Sequence, residues 1–223
     1  MGVWVNGSYT FGDIDSTFDA VGFEYDTWGT SAGVDFRLTD NLIVGTAFTY
    51  YTSEADIDHH GGDVDADSYT GSIYATFYHG EGFYINGIAS YGEGDLDIKR
   101  NIQYTIPAET VNTEAKGTPG SQQYSVGLGT GYTFNIEGFT ITPFARFNYL
   151  EYGVDSYSEK GGTGWGLRYS DQKVRSLKTV LGSQASYAYS LPFGVLLSQV
   201  HGEWIHEYKD SKRKYRATYR VVA

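Results

Sequence analysis

From Tyr124 to Ile136 the chain sorts by parity. Tyr124, Val126, Leu128, Thr130, Tyr132, Phe134 and Ile136 alternate with Ser125, Gly127, Gly129, Gly131, Thr133 and Asn135. A period of two predicts a β-strand with one apolar face and one small or polar face. The stretch is longer than the about nine to eleven residues that a tilted strand needs to cross a bilayer. The same alternation recurs from Val3 to Phe11, Gly22 to Leu38, Leu42 to Tyr51, Tyr69 to Phe77 and Phe83 to Tyr91. It returns from Phe139 to Tyr149, Leu177 to Ser190, Leu196 to Trp204 and Tyr215 to Val221, which makes ten segments. Pro143 falls on the apolar side of its segment and, lacking an N–H, is expected to weaken the ladder locally.

The connections alternate in length. Short ones sit at Thr39-Asp40-Asn41, His79-Gly80-Glu81-Gly82, Asn135-Ile136-Glu137-Gly138 and Leu191-Pro192-Phe193-Gly194, with residues that suit tight hairpins. Long polar ones are expected over about Asp13 to Val21, Asp56 to Asp67, Asp95 to Ser121 and Asp155 to Gly164. Short turns at one end and long loops at the other is the layout of an outer-membrane barrel. Ten up-and-down segments would put both ends of this chain on the short-turn side.

A soluble barrel or sandwich would turn its apolar residues inward. Here the second face is Gly, Ser, Thr, Asn, Gln, Asp and Arg, which as a core would leave space unfilled and polar groups unpaired. The pattern therefore predicts an all-β, antiparallel, up-and-down transmembrane barrel. Tyr124, Val126, Leu128, Tyr132 and Phe134 are expected to face lipid. Asp35, Arg37, Arg146, Glu203, Lys214, Arg216 and Arg220 are expected to face the lumen, because unpaired charge on the lipid face is costly. These charges either pair and stiffen the wall or hold a polypeptide loosely and tune ion selectivity. Tyr9, Trp28, Tyr91, Tyr149, Phe193 and Trp204, near strand ends, are candidates for interfacial girdles, with ordinary packing as the alternative.

Composition narrows the function classes. In 223 residues there are 29 Gly and 21 Tyr against 4 Pro and 1 Met, which fits long amphipathic strands. Without cysteine there is no disulfide framework and no thiol chemistry. The net charge of −11 argues against a general nucleic-acid binder. The mean hydropathy is −0.37 and no apolar run reaches about 18 residues, so helical membrane spans are excluded while interleaved strands are not. No signal peptide is visible ahead of the first strand.

The chemistry-bearing clusters favour plain readings. Asp56, Asp58, His59, His60, Asp63, Asp65 and Asp67 crowd one segment without calcium-loop spacing, and read as a solvated acidic loop before a metal site. Gly127-Leu128-Gly129-Thr130-Gly131 lacks the strand-to-helix turn of a phosphate loop; its glycines read as thinning of a wall or room for a neighbouring segment. No nucleophile elbow or zinc-helix motif occurs, and His206 and Glu207 point to opposite faces of a strand. No catalytic residue, metal ligand or cofactor is expected.

Four stretches carry a family resemblance: GVDFRLTDNLIVG (Gly33 to Gly45), GDVDADSY (Gly62 to Tyr69), GFYINGIASYG (Gly82 to Gly92) and GVLLSQVHGEWIHEYKD (Gly194 to Asp210). In order and spacing they resemble the autotransporter β-domain, the translocator barrel of type V secretion, over nearly the whole chain. The resemblance implies a twelve-stranded barrel in the bacterial outer membrane, a helix threaded through the pore, and an exported N-terminal passenger. It implies lipid, lipopolysaccharide, periplasmic chaperones and the barrel-assembly machinery as partners, with no cofactor and no nucleic acid. Residues 1–223 are then one barrel domain that stops about where the family leaves its tenth strand, without the last hairpin. A truncated sequence is the favoured account, and closure with ten strands the other. The expected function is an outer-membrane translocator that is not an enzyme. The alternatives are a stand-alone porin or surface-exposed binding or adhesion protein, and, last, a soluble ligand-binding barrel.

Overall fold

A computed structural model describes residues 1–18, 21–107, 109–209 and 217–219. Alternation over long stretches without helix formers gives long strands. They are β1 (Gly2–Ile14), β2 (Phe23–Thr39), β3 (Leu42–Ile57), β4 (Gly62–His79) and β5 (Phe83–Ile106). The chain doubles back as β6 (Glu109–Gly117) and continues through β7 (Gly120–Tyr132), β8 (Phe134–Ile136) and β9 (Phe139–Val154). Short pieces follow: β10 (Tyr157–Ser158), β11 (Lys160–Gly161), a 3-10 turn at Gly162–Gly164 and β12 (Leu167–Tyr169). Then come β13 (Gln172–Leu191), β14 (Gly194–Glu207) and β15 (Ala217–Tyr219). The long strands pair antiparallel in the order β1-β2-β3-β4-β5-β7-β9-β13-β14 and form a half-barrel wall.

Nine of the ten expected segments lie in this wall. The tenth differs: of its residues only Ala217–Tyr219 are described, and they pair with Leu167–Tyr169 in a separate three-stranded sheet. The Asp56 to Asp67 stretch is not a long loop. β3 and β4 stay paired up to Ile57↔Gly62, and Asp58-His59-His60-Gly61 closes the hairpin. His59 and His60 both have φ of 58°, and the Gly61 N–H donates to the Asp58 carbonyl. This is the mirror-image turn that matches strand twist, which residue types rarely advertise without Asn or Gly. Asp95 to Ser121 likewise is a long hairpin, in which β5 runs on past the wall and pairs with β6 from Ile98↔Gly117 to Ile106↔Glu109.

The opening pattern is interrupted once. β7 ends at Tyr132 and β8 resumes at Phe134. Pairing of β7 with β9 ends at Gly131↔Phe144, and β8 takes it up at Phe134↔Ile141. Pro143 lies in the gap with no N–H to offer, while on the other side of β7 the ladder to β5 continues through the Thr133 N–H, which donates to the Gly82 carbonyl.

A wall one sheet thick has little interior. The buried hydrophobic side chains among the described residues are Ile102, Ala115 and Val180, and the first two belong to the raised hairpin. Trp28, Phe48, Ile73 and Leu128 are exposed, the last at 54 %. An apolar surface this continuous is not left uncovered in water.

Candidate functional site

Directly paired residues of neighbouring strands share a face. Following the pairs from β1 to β14 therefore assigns every wall position to one of two faces. One rung runs Val5↔Ala32↔Phe48, and another Thr46↔Ile73↔Ala89↔Val126↔Tyr149. A third runs Ala75↔Gly87↔Leu128↔Phe147, and Ala145↔Leu181↔Trp204 extends the face to the far edge. This is the apolar face. Tyr124, Val126, Leu128 and Tyr132 lie on it by register, and Phe134 joins it opposite Ile141.

Two aromatic rows bound the apolar band. At the end towards the raised hairpin, Tyr9 packs on Trp28 with ring centroids 4.4 Å apart, Tyr50 on Tyr69 at 5.0 Å and Tyr91 on Tyr124 at 5.0 Å. At the short-turn end, Tyr132 meets Phe134 at 4.6 Å and Phe139 meets Tyr187 at 4.5 Å. Above the first row the same face turns acidic. The Tyr50 hydroxyl donates to Asp67, Tyr91 to Glu93 and Tyr149 to Glu151. The next rungs are Asp26↔Glu54↔Asp65↔Asp97 and Asp13↔Glu24↔Asp56↔Asp63↔Lys99. The Lys99 ammonium is 2.7 Å from Asp63 and 3.8 Å from Asp65, and the Asp63 carboxylate raises its pKa above the ordinary lysine value. Among the described residues no group of three or more side chains is placed to hold a metal ion.

The opposite face is polar and tiled. Hydroxyl pairs cross it at Thr27 with Ser53 (2.7 Å), Ser31 with Thr49 (2.8 Å) and Ser72 with Ser90 (2.8 Å). Long side chains lie flat over glycines of the neighbouring strand. A Cβ on Gly33 would meet the Trp4 ring at 2.5 Å, and one on Gly45 would meet Tyr74 at 2.3 Å. The two rings reach each other across β2 and β3, where Trp4 Nε1 donates to Tyr74 Oη at 2.9 Å. Gly131 lies under Tyr84 and Gly129 under Asn86 in the same way. The mid-strand glycines are thus hollows filled by neighbours, the second of the two roles open to them.

Charges gather at the β9–β14 side of the polar face. Arg146 pairs with Glu203 across β13, and His201 Nε2 lies 2.8 Å from Glu203. Phe144 lies beneath both side chains, 5.0 Å from the Arg146 guanidinium and 5.5 Å from the His201 ring. Asp35, opposite Gly2 and Gly45, and Arg37, opposite Ile43, share this face on β2. Among the described residues no ion pair joins them to the Arg146 cluster. Lys214, Arg216 and Arg220 lie outside the described residues. The Trp4–Tyr74 bridge was missed from sequence because parity assigns faces but not how far a ring reaches along them.

The model of the autotransporter beta-domain family matches residues 3–223. The chain is 25% identical over 193 residues to the uncharacterised Escherichia coli protein YaiT, covering 85% of this chain and 18% of that protein. It is 28% identical over 172 residues to outer membrane protein A of Rickettsia conorii, covering 74% of this chain and 8% of that protein. It therefore spans less than a fifth of either relative. Among solved structures, the translocator domain of autotransporter NalP from Neisseria meningitidis aligns with a TM-score of 0.70 at 16% identity, covering 96% of this chain and 73% of that one. The β domain of the Bordetella autotransporter BrkA aligns at 0.66 and 14% identity, covering 97% and 82%.

Proposed function

The chain belongs to the autotransporter β-domain family, and from that premise we propose which face of its wall meets lipid and which lines a path for polypeptide. It is an outer-membrane translocator domain of a bacterium. Translocator domains of this family are not enzymes, and we read this chain likewise. Residues 1–223 are taken as one barrel domain, a reading supported by the antiparallel pairing of each wall strand with its neighbour from β1 to β14.

One observation carries the proposal. Nine strands put most of their apolar positions on one face, bounded by aromatic rows and then by carboxylates, while Ile43, Ile88, Leu150, Val180 and Ile205 lie on the other. The band from Phe83 to Tyr91 or from Tyr124 to Phe134 has the length of a tilted membrane strand, about nine to eleven residues. Tyr124, Val126, Leu128, Tyr132 and Phe134 therefore face lipid, and the tyrosine row that includes Tyr124 sits at the headgroups, with the Tyr50 and Tyr91 hydroxyls turned to carboxylates. The polar face lines the lumen. There Asp35 and Arg37 stand on one side, and Arg146 and Glu203 on the other.

A passenger polypeptide attached to this domain is the cargo that the family implies. The acidic rungs and the raised hairpin then point outward and the short turns face the periplasm. Lipopolysaccharide surrounds the outward half. Periplasmic chaperones and the barrel-assembly machinery, which handle wall strands before insertion, are the remaining partners. No nucleic acid is involved.

The test is spin labelling in lipid vesicles. Nitroxides introduced by Val126→Cys and Leu128→Cys are expected to collide preferentially with oxygen, and those from Ser125→Cys and Asn148→Cys with a water-soluble nickel chelate. The reverse alternation, or none, would sink the proposal.

A further inference from the structure

Parity does something unusual along β5. From Phe83 to Tyr91 the odd residues are apolar. Beyond Asp95 the even residues take over, with Ile98, Ile102 and Tyr104 on the face that the lumen side chains share lower down. The odd residues there are Asp97, Lys99, Asn101 and Gln103. In the raised hairpin the amphipathic sense is therefore inverted: its outer side is hydrophilic and its inner side wants cover.

The chain after β9 supplies that cover. β11 pairs with the edge of β6 at Lys160↔Lys116 and Gly161↔Ala115. The chain then turns inward through four consecutive residues of positive φ, Gly161 (85°), Gly162 (72°), Thr163 (45°) and Gly164 (92°). Gly162 seats on Ala115, which is fully buried, and beside Ile102. Trp165 packs edge-on against Tyr104 with centroids 5.3 Å apart, and Tyr157 lies flat on Gly117. Each of these contacts is on the inner side of the hairpin.

An ion pair fastens the arrangement. Among the described residues Glu159 is the most buried charged side chain, at 1 % exposure. Arg100 of β5 grips it with both arms, Nε at 2.9 Å and Nη2 at 2.6 Å, and also donates to the Trp165 carbonyl at 3.1 Å. The Leu167 N–H adds a third donor to the carboxylate at 2.8 Å. A carboxylate so enclosed is stable only with its cation in place, so losing either partner is strongly unfavourable.

We infer that Gly162–Tyr169 is a lid over the outward mouth of the lumen, latched to the inner face of the β5–β6 hairpin by the Arg100–Glu159 pair. The inference rests on the polar face being the lumen. A segment on the lumen side of a wall that rises above the membrane stands over the opening. The glycines around Thr163 supply the hinge at which it folds in, and releasing the latch lets Gly162–Tyr169 swing together with its ladder partners Tyr157–Ser158 and Ala217–Tyr219, without unpairing any strand of the wall.

The test uses cells that produce the full protein, with Asn148→Cys as the only cysteine. Asn148 is exposed on the polar face, opposite Gly127 and Lys178. A small methanethiosulfonate reagent and a maleimide bearing a bulky polyether are added outside. The small reagent is expected to label at one rate whatever the latch. The bulky one is expected to label slowly until Glu159→Gln is added and then at least about tenfold faster, because a mostly closed lid responds steeply to loss of its closing contact. An unchanged bulky rate overturns the lid. A parallel rise for both reagents also overturns it, since that reports a loosened wall. No labelling by either reagent overturns instead the lumen reading beneath it. Should Glu159→Gln fail to assemble, a second pair decides: Thr113 and Thr163 Oγ1 atoms lie 3.1 Å apart, so Thr113→Cys with Thr163→Cys must cross-link on mild oxidation. Absence of that cross-link overturns the seating of the lid.

Discussion

Gly33 and Gly71 occupy similar strands on opposite faces, and only one has a neighbour. A Cβ at Gly33 would strike the Trp4 ring at 2.5 Å, whereas one at Gly71 meets nothing within 4 Å. Gly33→Val must lift Trp4 from the wall and break its bond to Tyr74. An overpacked site costs about 1–3 kcal/mol, and a lost hydrogen bond adds roughly 1 kcal/mol. Gly71→Val adds a β-branched side chain on the apolar face at no steric cost and is expected to be neutral or slightly stabilising. Urea unfolding in lipid vesicles checks both: Gly33→Val should lower the midpoint and Gly71→Val should not. Equal midpoints for the two variants would remove the tiling as a source of stability. The glycines were visible in the sequence, and so was the aromatic content. Which ring covers which glycine was not, because that depends on the pairing between strands, and a shift of one residue would exchange every partner.

The wall strands were legible because each carries its own periodicity, and a face can be read from nine residues without knowing their neighbours. The segments misjudged are those in which polarity and strand structure part company. Asp56, Asp63, Asp65 and Asp67 look like loop residues, yet they continue β3 and β4 above the apolar band. Water solvates both sides of a strand there, so carboxylates replace apolar residues without ending the ladder. The inversion along β5 was present in the sequence as Ile98, Ile102 and Tyr104, but its meaning depends on Tyr157 and Trp165, more than fifty residues later. Tyr157 reports directly on this packing. Burial above all, then Tyr169 and Glu159, push its phenol up to about 12, against a lowering influence from Arg100. The folded state therefore holds this proton more tightly than the unfolded chain, whose tyrosines titrate near 10.0. The stabilisation is complete below that value and is lost as pH rises towards 12. Phenolate absorbance should show a late-titrating component that Tyr157→Phe diminishes. A variant with an unaltered upper titration would mean that Tyr157 is not packed beneath the lid.

At the scale of the whole molecule, the charge of −11 is distributed by height. The apolar band is free of acidic rungs, and its outward rim gathers them face to face. Asp26, Glu54, Asp65 and Asp97 stand in successive strands on one rung, and Glu24, Asp56 and Asp63 on the next, with Lys99 among them. Like charges placed directly opposite destabilise a sheet by a few tenths of a kcal/mol to about 1 kcal/mol per pair. The ladder nevertheless holds, because on the proposed lipid-facing assignment apolar burial in the membrane below supplies far more than these rungs remove. One lysine cannot offset the repulsion along both rungs, so the rim should be a net electrostatic liability that salt relieves. With a screening length of about 10 Å at 0.1 M salt, raising sodium chloride from a dilute buffer should increase Tm in vesicles by a few degrees. Replacing Glu54 and Asp65 by Gln and Asn should raise Tm in the dilute buffer and flatten its dependence on salt. A Tm that falls as salt is added, with no change on neutralising Glu54 and Asp65, would mean that the Lys99 pairs outweigh the rungs and that the rim is held together, not apart, by its charges.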